Sequence, residues 1–436
     1  MGSYIPNSAA EREEMLHTLG LTDEKQLFDH LPPEVRLESL DIPAGRSELE
    51  VREAVETMAE KNRRFRSIFR GAGSYNHYIP SIVRSVTSKK EFVTAYTPYQ
   101  AEISQGVLQS IFEYQTMICE LPGMDVSNAS VYDGAVAAAE AIVMCQERKR
   151  SRAVVSGAVN PHVLAVIRTY CESHGIPLAI LAPVNGRTDP VALASVLCAT
   201  YACVYIQQPN YYGLLEDCDA LIAEAHKAGA KAILGVDPIS LGLLKTPGEY
   251  GADIAVGEGQ SLGLPMGFGG PYLGFMASTQ AMMRRLPGRI VGQTTDAKGN
   301  RAFVLTLQAR EQHIRREKAT SSICSNEALC AMTASVYLAA MGPSGLAECA
   351  RQCYANAHYA AAEISGIPGY GLRYDGPFYQ EFVTECPDAD AALSALAEKG
   401  ILGGLKVDGG ILWCATEMNS RSQIDTLVTI LKEVAR

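Results

Sequence analysis

Between positions 152 and 236 the chain alternates short apolar runs with stretches of helical period, and this alternation limits the fold more than any other feature. The runs lie at 153–156, 178–181, 202–206 and 232–236. Helical patterns at 161–174, 190–197 and 216–228 separate them. Strands joined through helices form right-handed βαβ units, so the pattern predicts an α/β fold with a mainly parallel sheet. Ligands in such sheets sit at the carboxyl ends of the strands. Gln207-Gln208-Pro209-Asn210, Asp237 and Gln260 all fall there.

At 436 residues the chain has room for a large core and more than one domain. Residues 1–60 read as an N-terminal arm of short helices. Ser8 with Glu11 and Ser47 with Glu50 have capping-box spacing, and Pro32-Pro33 and Pro43 interrupt the arm. Residues 61–325 read as the large α/β domain. Residues 326–436 read as a smaller C-terminal α/β domain, with helices at 327–340, 345–364, 388–398 and 423–434 and strands near 380–384 and 411–415. A further helix is predicted over 104–121, with Gln115 as the polar break in its apolar stripe.

Composition excludes several classes of function. A formal net charge of −10 and only short basic runs, such as Arg63-Arg64-Phe65-Arg66, argue against a nucleic-acid surface. The twelve cysteines contain no CxxC pair. Cys349 and Cys353 stand one helical turn apart, with no His or Cys nearby in sequence to complete a metal set, so no metal is expected. Neither an apolar run of membrane-spanning length nor a signal-peptide pattern is apparent, and a cytoplasmic location is expected.

Asp253 to Gly274 reads DIAVGEGQSLGLPMGFGGPYLG, an apolar run followed by a glycine-rich loop framed by prolines. Glycines there let backbone approach a ligand or a second chain closely. Gly257, Gly259 and Gly263 come late and lead into Pro265, so they do not make the dinucleotide fingerprint. Asp237 after one strand and a polar residue after a later strand match the layout of fold type I pyridoxal-phosphate enzymes. In those enzymes Asp pairs with the pyridinium nitrogen and a lysine carries the cofactor. Here Gln260 stands at the lysine's place, and the nearest lysines, Lys245 and Lys298, lie outside the frame. Asp133 before a small-residue helix reads as a cap rather than as part of a phosphate site, because its charge would repel an anion. Asp237 is open to three readings: a relic kept for folding, a helix cap, or part of an emptied pocket.

Two further stretches carry polar groups. The aperiodic segment 70–106 is rich in Gly, Tyr, Ser and Thr, and is either functional or a surface loop with packed tyrosines. The stretch 306–325 gathers Arg310, Arg315, Arg316 and Lys318 near hydroxyl residues, which suits an anion or an exposed charged helix. His77 and His313 read as ordinary hydrogen-bonded histidines or as acid–base groups.

The motifs FRGAGSYNHYIPSIVRSV, YTPYQAEISQG, FEYQTMICELPGMDVSNASVYDGA, GEGQSLGLPMGFGGPYLGF and REQHIRREKATSSIC resemble the P-protein of the glycine cleavage system. The likeness is closest to the first of the two subunits in which that enzyme occurs when split. It runs in order along almost the whole chain. The resemblance implies pyridoxal-phosphate-dependent decarboxylation of glycine and transfer of the aminomethyl group to the lipoyl arm of the H-protein. The cofactor would be carried by a homologous second subunit, likewise in two copies. That subunit's His-Lys ahead of Pro-His-Gly-Gly-Gly-Gly-Pro sets its lysine opposite Gln260, with both prolines in register, Pro265 and Pro271 here.

On that reading this chain has no catalytic residue of its own, and Asp237 with Gln260 marks a degenerate cofactor site. The resemblance implies that Tyr96, Thr97, Tyr99, Gln100 and Glu102, with Ser104, line the partner's active site. Arg70, Asn76, His77 and Tyr78 would share its mouth, while Thr320 and Ser321 would contact the partner's cofactor phosphate. Two rivals stand beside this reading: a free-standing pyridoxal enzyme using another lysine, and a scaffold or regulatory pseudoenzyme.

Overall fold

The computed structural model describes residues 6–37, 39–95, 97–268 and 272–435. Two compact units divide the chain, residues 1–63 and 64–436. In the first, α1 (Ala9–Thr18) and α2 (Glu48–Glu60) each open with the expected capping box, Ser8 with Glu11 and Ser47 with Glu50. Reciprocal bonds at each cap satisfy amides that a helix start leaves free. Neither helix buries a residue, and α2 exposes Leu49, Val51, Val55 and Met58.

The second unit is built on a sheet of seven strands among the described residues. They are β1 (Val126–Ser127), β2 (Arg152–Ser156), β3 (Leu178–Leu181), β4 (Tyr201–Gln208), β5 (Lys231–Val236), β6 (Ile254–Glu258) and β7 (Gly274–Ser278). Their order is β1-β7-β6-β5-β4-β2-β3. From β6 to β3 every pairing is parallel, while β7 runs antiparallel to both of its neighbours. The sheet is therefore mixed and mostly parallel. Alternate residues feed opposite faces, as the strand period demands. Leu234 and Val204 join a core with Ile118, Leu221 and Tyr337, whereas Ile233 and Cys203 join one with Ile142 and Ile167. Helices α3 (Gln105–Glu120), α4 (Gly134–Met144), α5 (Pro161–Ser173), α6 (Pro190–Val196) and α7 (Cys218–Lys227) supply much of this cover.

The predicted helices at 327–340 and 345–364 form α8 (Ala328–Ser365), which breaks where the sequence places Gly342-Pro343. Gly342 adopts φ +61°, outside helical space. Contrary to the sequence expectation, this helix is long and apolar enough to cross a membrane by length and composition. Its face nevertheless belongs to the core: Ala331, Ala334, Tyr337, Leu346, Ala350 and Cys353 are buried there.

A three-stranded antiparallel sheet follows, ordered β10-β12-β11, with β10 (Glu381–Thr384), β11 (Leu405–Val407) and β12 (Gly410–Cys414). It packs with α9 (Ala389–Glu398) and α10 (Arg421–Val434) around Phe382, Trp413, Leu396 and Leu427. Ser67–Ile68 pairs in parallel with Ile401–Leu402. The segment that follows, 70–80, thus starts beside this small sheet.

The hairpin of β8 (Val291–Thr295) and β9 (Arg301–Leu305) is absent from the sequence reading. Its signal is present: Asp296 accepts the amides of Lys298 and Asn300, and Gly299 takes φ +82°, as a tight turn requires. Gln115, the polar break in α3, explains itself here. Its amide exchanges two bonds with the Val291 backbone, both at 2.9 Å. The stretch 306–325 forms no continuous charged helix. It breaks into short turns at Leu307 and Arg316, both at positive φ, and Arg310 donates to the carbonyls of Leu286 and Gly288.

Candidate functional site

A cavity of about 380 Å³ opens at the carboxyl ends of β4, β5 and β6, where the fold predicts a ligand. Asp237 and Gln260 both line it. Gln260, 2% exposed, follows β6 and spends its whole side-chain amide inside the chain. Its Oε1 accepts the Tyr75 amide at 2.9 Å, and its Nε2 donates to the carbonyls of Tyr75 at 3.2 Å and Leu264 at 2.8 Å. The side chain thereby staples segment 70–80 across the strand ends.

Asp237 is half-buried and accepts bonds from the Ile239 amide at 3.2 Å and from Gln380 Nε2 at 3.1 Å. Burial raises its pKa, partly offset by the field of His77. Asp237 is not a helix cap, because the short turn Ser240–Gly242 has Ile239 as its N-cap and no side-chain cap bond; the carboxylate stands in the cavity wall.

Three further carboxylates reach this cavity, and the sequence reading had singled out only one of them. Asp133 caps α4 as predicted, accepting the Val136 amide at 2.7 Å. Glu258 accepts the Gly134 amide at the start of α4 and the amides of Gln260 and Leu273, each at 3.0 Å. Glu381 accepts the Ala72 amide at 2.6 Å and the Tyr75 hydroxyl at 2.8 Å. Burial pushes Glu258 and Glu381 each up to about 7. Glu258 stood two residues from Gln260 in the motif, but nothing in the sequence brings Glu381 or Tyr75 to the same place.

These residues do not fit a covalently held pyridoxal phosphate. Among the described residues lining the cavity there is no lysine to form an imine and no arginine to balance a phosphate. The α4 amides that could receive an anion already hold Glu258 and Asp133. A phosphate there would meet two carboxylates.

The other residues picked from the sequence lie in different settings. Arg70 donates to the carbonyls of Gly403 and Gly404, from 2.9 to 3.2 Å. His77, 7% exposed, has Nδ1 2.8 Å from Glu417 Oε2. Tyr78 exposes its ring and gives its amide to Glu417 Oε1 at 2.7 Å, while the Asn76 carbonyl accepts the Thr416 hydroxyl. Tyr96 lies outside the described residues. Tyr99 is half-buried beneath the Arg289 guanidinium. Its hydroxyl meets Asn326 and Ser325 Oγ, the latter at 3.0 Å. Thr97, Gln100 and Glu102 are exposed, whereas Ser104 is buried at the start of α3.

Thr320 and Ser321 line a separate cavity of about 330 Å³ with Arg316 and Glu140, whose pKa burial raises to about 7. His313 lies 3.5 Å from Glu311.

Comparison with known proteins adds three findings. The family model of the glycine cleavage system P-protein matches residues 2–431. The chain is 50% identical to the "Probable glycine dehydrogenase (decarboxylating) subunit 1" of Moorella thermoacetica, covering 99% of each chain. It is 46% identical to the protein of the same name from Thermomicrobium roseum, over 99% of each. Among solved structures, glycine decarboxylase (P-protein) of the glycine cleavage system in inhibitor-bound form superposes with a TM-score of 0.93 at 44% identity, covering 99% of this chain and 100% of that one. A sphingosine-1-phosphate lyase from Burkholderia pseudomallei shares the fold at 14% identity, with a TM-score of 0.67 over 93% of this chain and 94% of its own. The expected architecture, that of fold type I pyridoxal-phosphate enzymes, is the one observed.

Proposed function

Because this chain belongs to the glycine cleavage system P-protein family, we propose that it is subunit 1 of a two-subunit glycine decarboxylase and anchors no cofactor itself. A homologous second subunit carries pyridoxal phosphate. Together they decarboxylate glycine and pass the aminomethyl group to the lipoyl arm of the H-protein. The observation that carries this reading is Gln260: a buried, fully bonded amide stands where an amine would be needed, in a cavity walled by carboxylates. The cofactor, when bound on the partner, supplies the electron sink for loss of CO2. This chain encloses and orients.

The surface offered to the partner is the exposed edge of 97–102. Tyr99 is pinned through its hydroxyl to Ser325 and Asn326, which fixes the direction in which Thr97, Gln100 and Glu102 project. Glycine has no side chain to grip, so its carboxylate has to be aimed by neighbouring donors and dry walls. Thr320 and Ser321 present hydroxyls suited to the partner's cofactor phosphate. Arg70, His77 and Tyr78 hold the mouth of the site in shape, Arg70 and His77 through bonds within this chain. The assembly contains two copies of each chain, and it works in the cytoplasm, in keeping with twelve free thiols.

Co-purification with the second subunit, followed by glycine decarboxylation assays on each chain alone and on the mixture, tests the proposal. Activity is expected only in the mixture. A scaffold that contributes no residue would leave turnover unchanged when Gln100 or Glu102 is substituted in the intact complex.

A further inference from the structure

Four metal-ligating side chains, separated by up to 340 positions, meet at one buried point, and none of the four lines the main cavity. His77, Cys349, Cys353 and Glu417 place one donor atom each within 4.8 Å of one another. Three segments supply them. Cys349 and Cys353 lie on successive turns of α8, His77 comes from segment 70–80, and Glu417 follows β12. His77 Nδ1 stands 2.8 Å from Glu417 Oε2 and 4.0 Å from Cys349 Sγ. Cys353 Sγ is 3.3 Å from the same carboxylate oxygen.

We propose that these four side chains form a closed structural site for a thiophilic divalent cation, zinc in the first instance. Donor atoms around a tetrahedral zinc stand roughly 3.3–3.8 Å apart, given bond lengths of about 2.0–2.3 Å. The observed separations, from 2.8 Å upward and all within 4.8 Å, bracket that range, so shifts of about 1 Å or less complete the shell. Two thiolates, an imidazole and a carboxylate are a donor set of the kind zinc takes, and four protein ligands leave no open position for catalysis. The carboxylate is already aimed: Glu417 Oε1 is held by the Tyr78 amide, which turns Oε2 toward the cluster.

Binding of a divalent ion requires both thiols to give up their protons and His77 Nδ1 to be free of its own, so affinity rises with pH. Such a clip would lock segment 70–80, whose Tyr75 bridges Gln260 and Glu381, onto α8 and the small sheet.

The test uses the tag-free full-length chain, alone and with its partner subunit. Elemental analysis is expected to give about one zinc per chain, lost in Cys353→Ser and in His77→Asn. Cys198 and Cys324 are exposed, so a Cys198→Ser/Cys324→Ser double variant is expected to keep the metal. In case the cluster variants fail to fold, chelator-treated parent chain is titrated with Co2+. Tetrahedral ligand-field bands with thiolate charge transfer, saturating at about one equivalent, are expected. Absence of both bound zinc and cobalt–thiolate absorption overturns the proposal, as does metal that follows the exposed cysteines instead of Cys353.

Discussion

The cavity at the ends of β5 and β6 and the segment 97–102 are both rich in polar side chains, yet they use them in opposite ways. In the cavity, Gln260, Glu258 and Glu381 each make two or more bonds to this chain's own backbone or side chains. On the segment, Tyr99 is tied down through its hydroxyl, whereas Thr97, Gln100 and Glu102 are exposed. On the proposed reading, a fold that anchors no cofactor still has to satisfy the polar groups at its strand ends. Polar groups are costly when buried and unpaired, and here they close on one another. The outward-facing groups carry no such cost and remain free to serve another chain.

The largest effect expected from breaking this contrast comes from the cavity. Gln260→Ala strips the Tyr75 amide and the Leu264 carbonyl of their buried partner and leaves a void. Urea denaturation should show a loss of about 3–5 kcal/mol. A loss below about 1 kcal/mol would mean that the staple is dispensable and the cavity is not closed in the sense argued here. Deleting residues 1–60 should follow in size. If two apolar side chains among Leu49, Val51, Val55 and Met58 are buried by the partner, they contribute about 3 kcal/mol, or about a hundredfold in association. Light scattering of the mixed chains at micromolar concentration reads this directly, and undiminished assembly rejects the arm as an interface.

Substitutions on the segment should act on turnover rather than on folding. Gln100→Ala and Tyr99→Phe in the assembled enzyme are expected to slow decarboxylation at low glycine by roughly ten- to a hundredfold, the equivalent of one well-placed hydrogen bond. Tyr99→Phe should act by loosening the segment, because its hydroxyl is spent on Ser325 and Asn326. If both variants assemble and turn over like the parent, the segment is packing alone.

The smallest effect is one of pH. Glu381 is raised to about 7 in the folded chain, so between its ordinary value and about 7 the unfolded chain ionises while the folded chain keeps the proton. The stability it contributes at low pH is therefore lost as pH rises through that window. Glu381→Gln fixes the neutral form, and its stability should fall less than the parent's between pH 5 and pH 8, by about 1–2 kcal/mol. Parallel pH profiles would show that the carboxylate is ionised throughout.

How much of this was readable in advance depended on sequence distance. Strands β2 to β5 lay within a few residues of their predicted bounds: two-sided burial imposes an apolar run on β2, β4 and β5, and the crossover helices on either side place the half-buried edge strand β3. Asp133 was readable as a cap because its bond is local, three residues long. The β8–β9 hairpin escaped because one of its strands, from Gly292 to Thr295, is mostly polar and carries no alternation. Distance defeated the rest. Tyr75 meets Gln260 across 185 positions and Glu381 across 306, and His77 meets Glu417 across 340. Cys349 and Cys353 therefore looked like an incomplete set, since the side chains that complete it come from the two ends of the second unit. No local pattern encodes such meetings; only the closed fold does.

Borohydride reduction followed by peptide mapping tests the central claim most directly. The isolated chain and the assembled enzyme are each incubated with pyridoxal phosphate, reduced, digested and mapped. The account predicts no phosphopyridoxyl group at stoichiometric level on any lysine of this chain, Lys245 and Lys298 included, and one per second subunit in the assembly. A phosphopyridoxyl lysine at about one equivalent on this chain would contradict it, because an amine would then be reaching a cavity from which Gln260 and four carboxylates should exclude the cofactor.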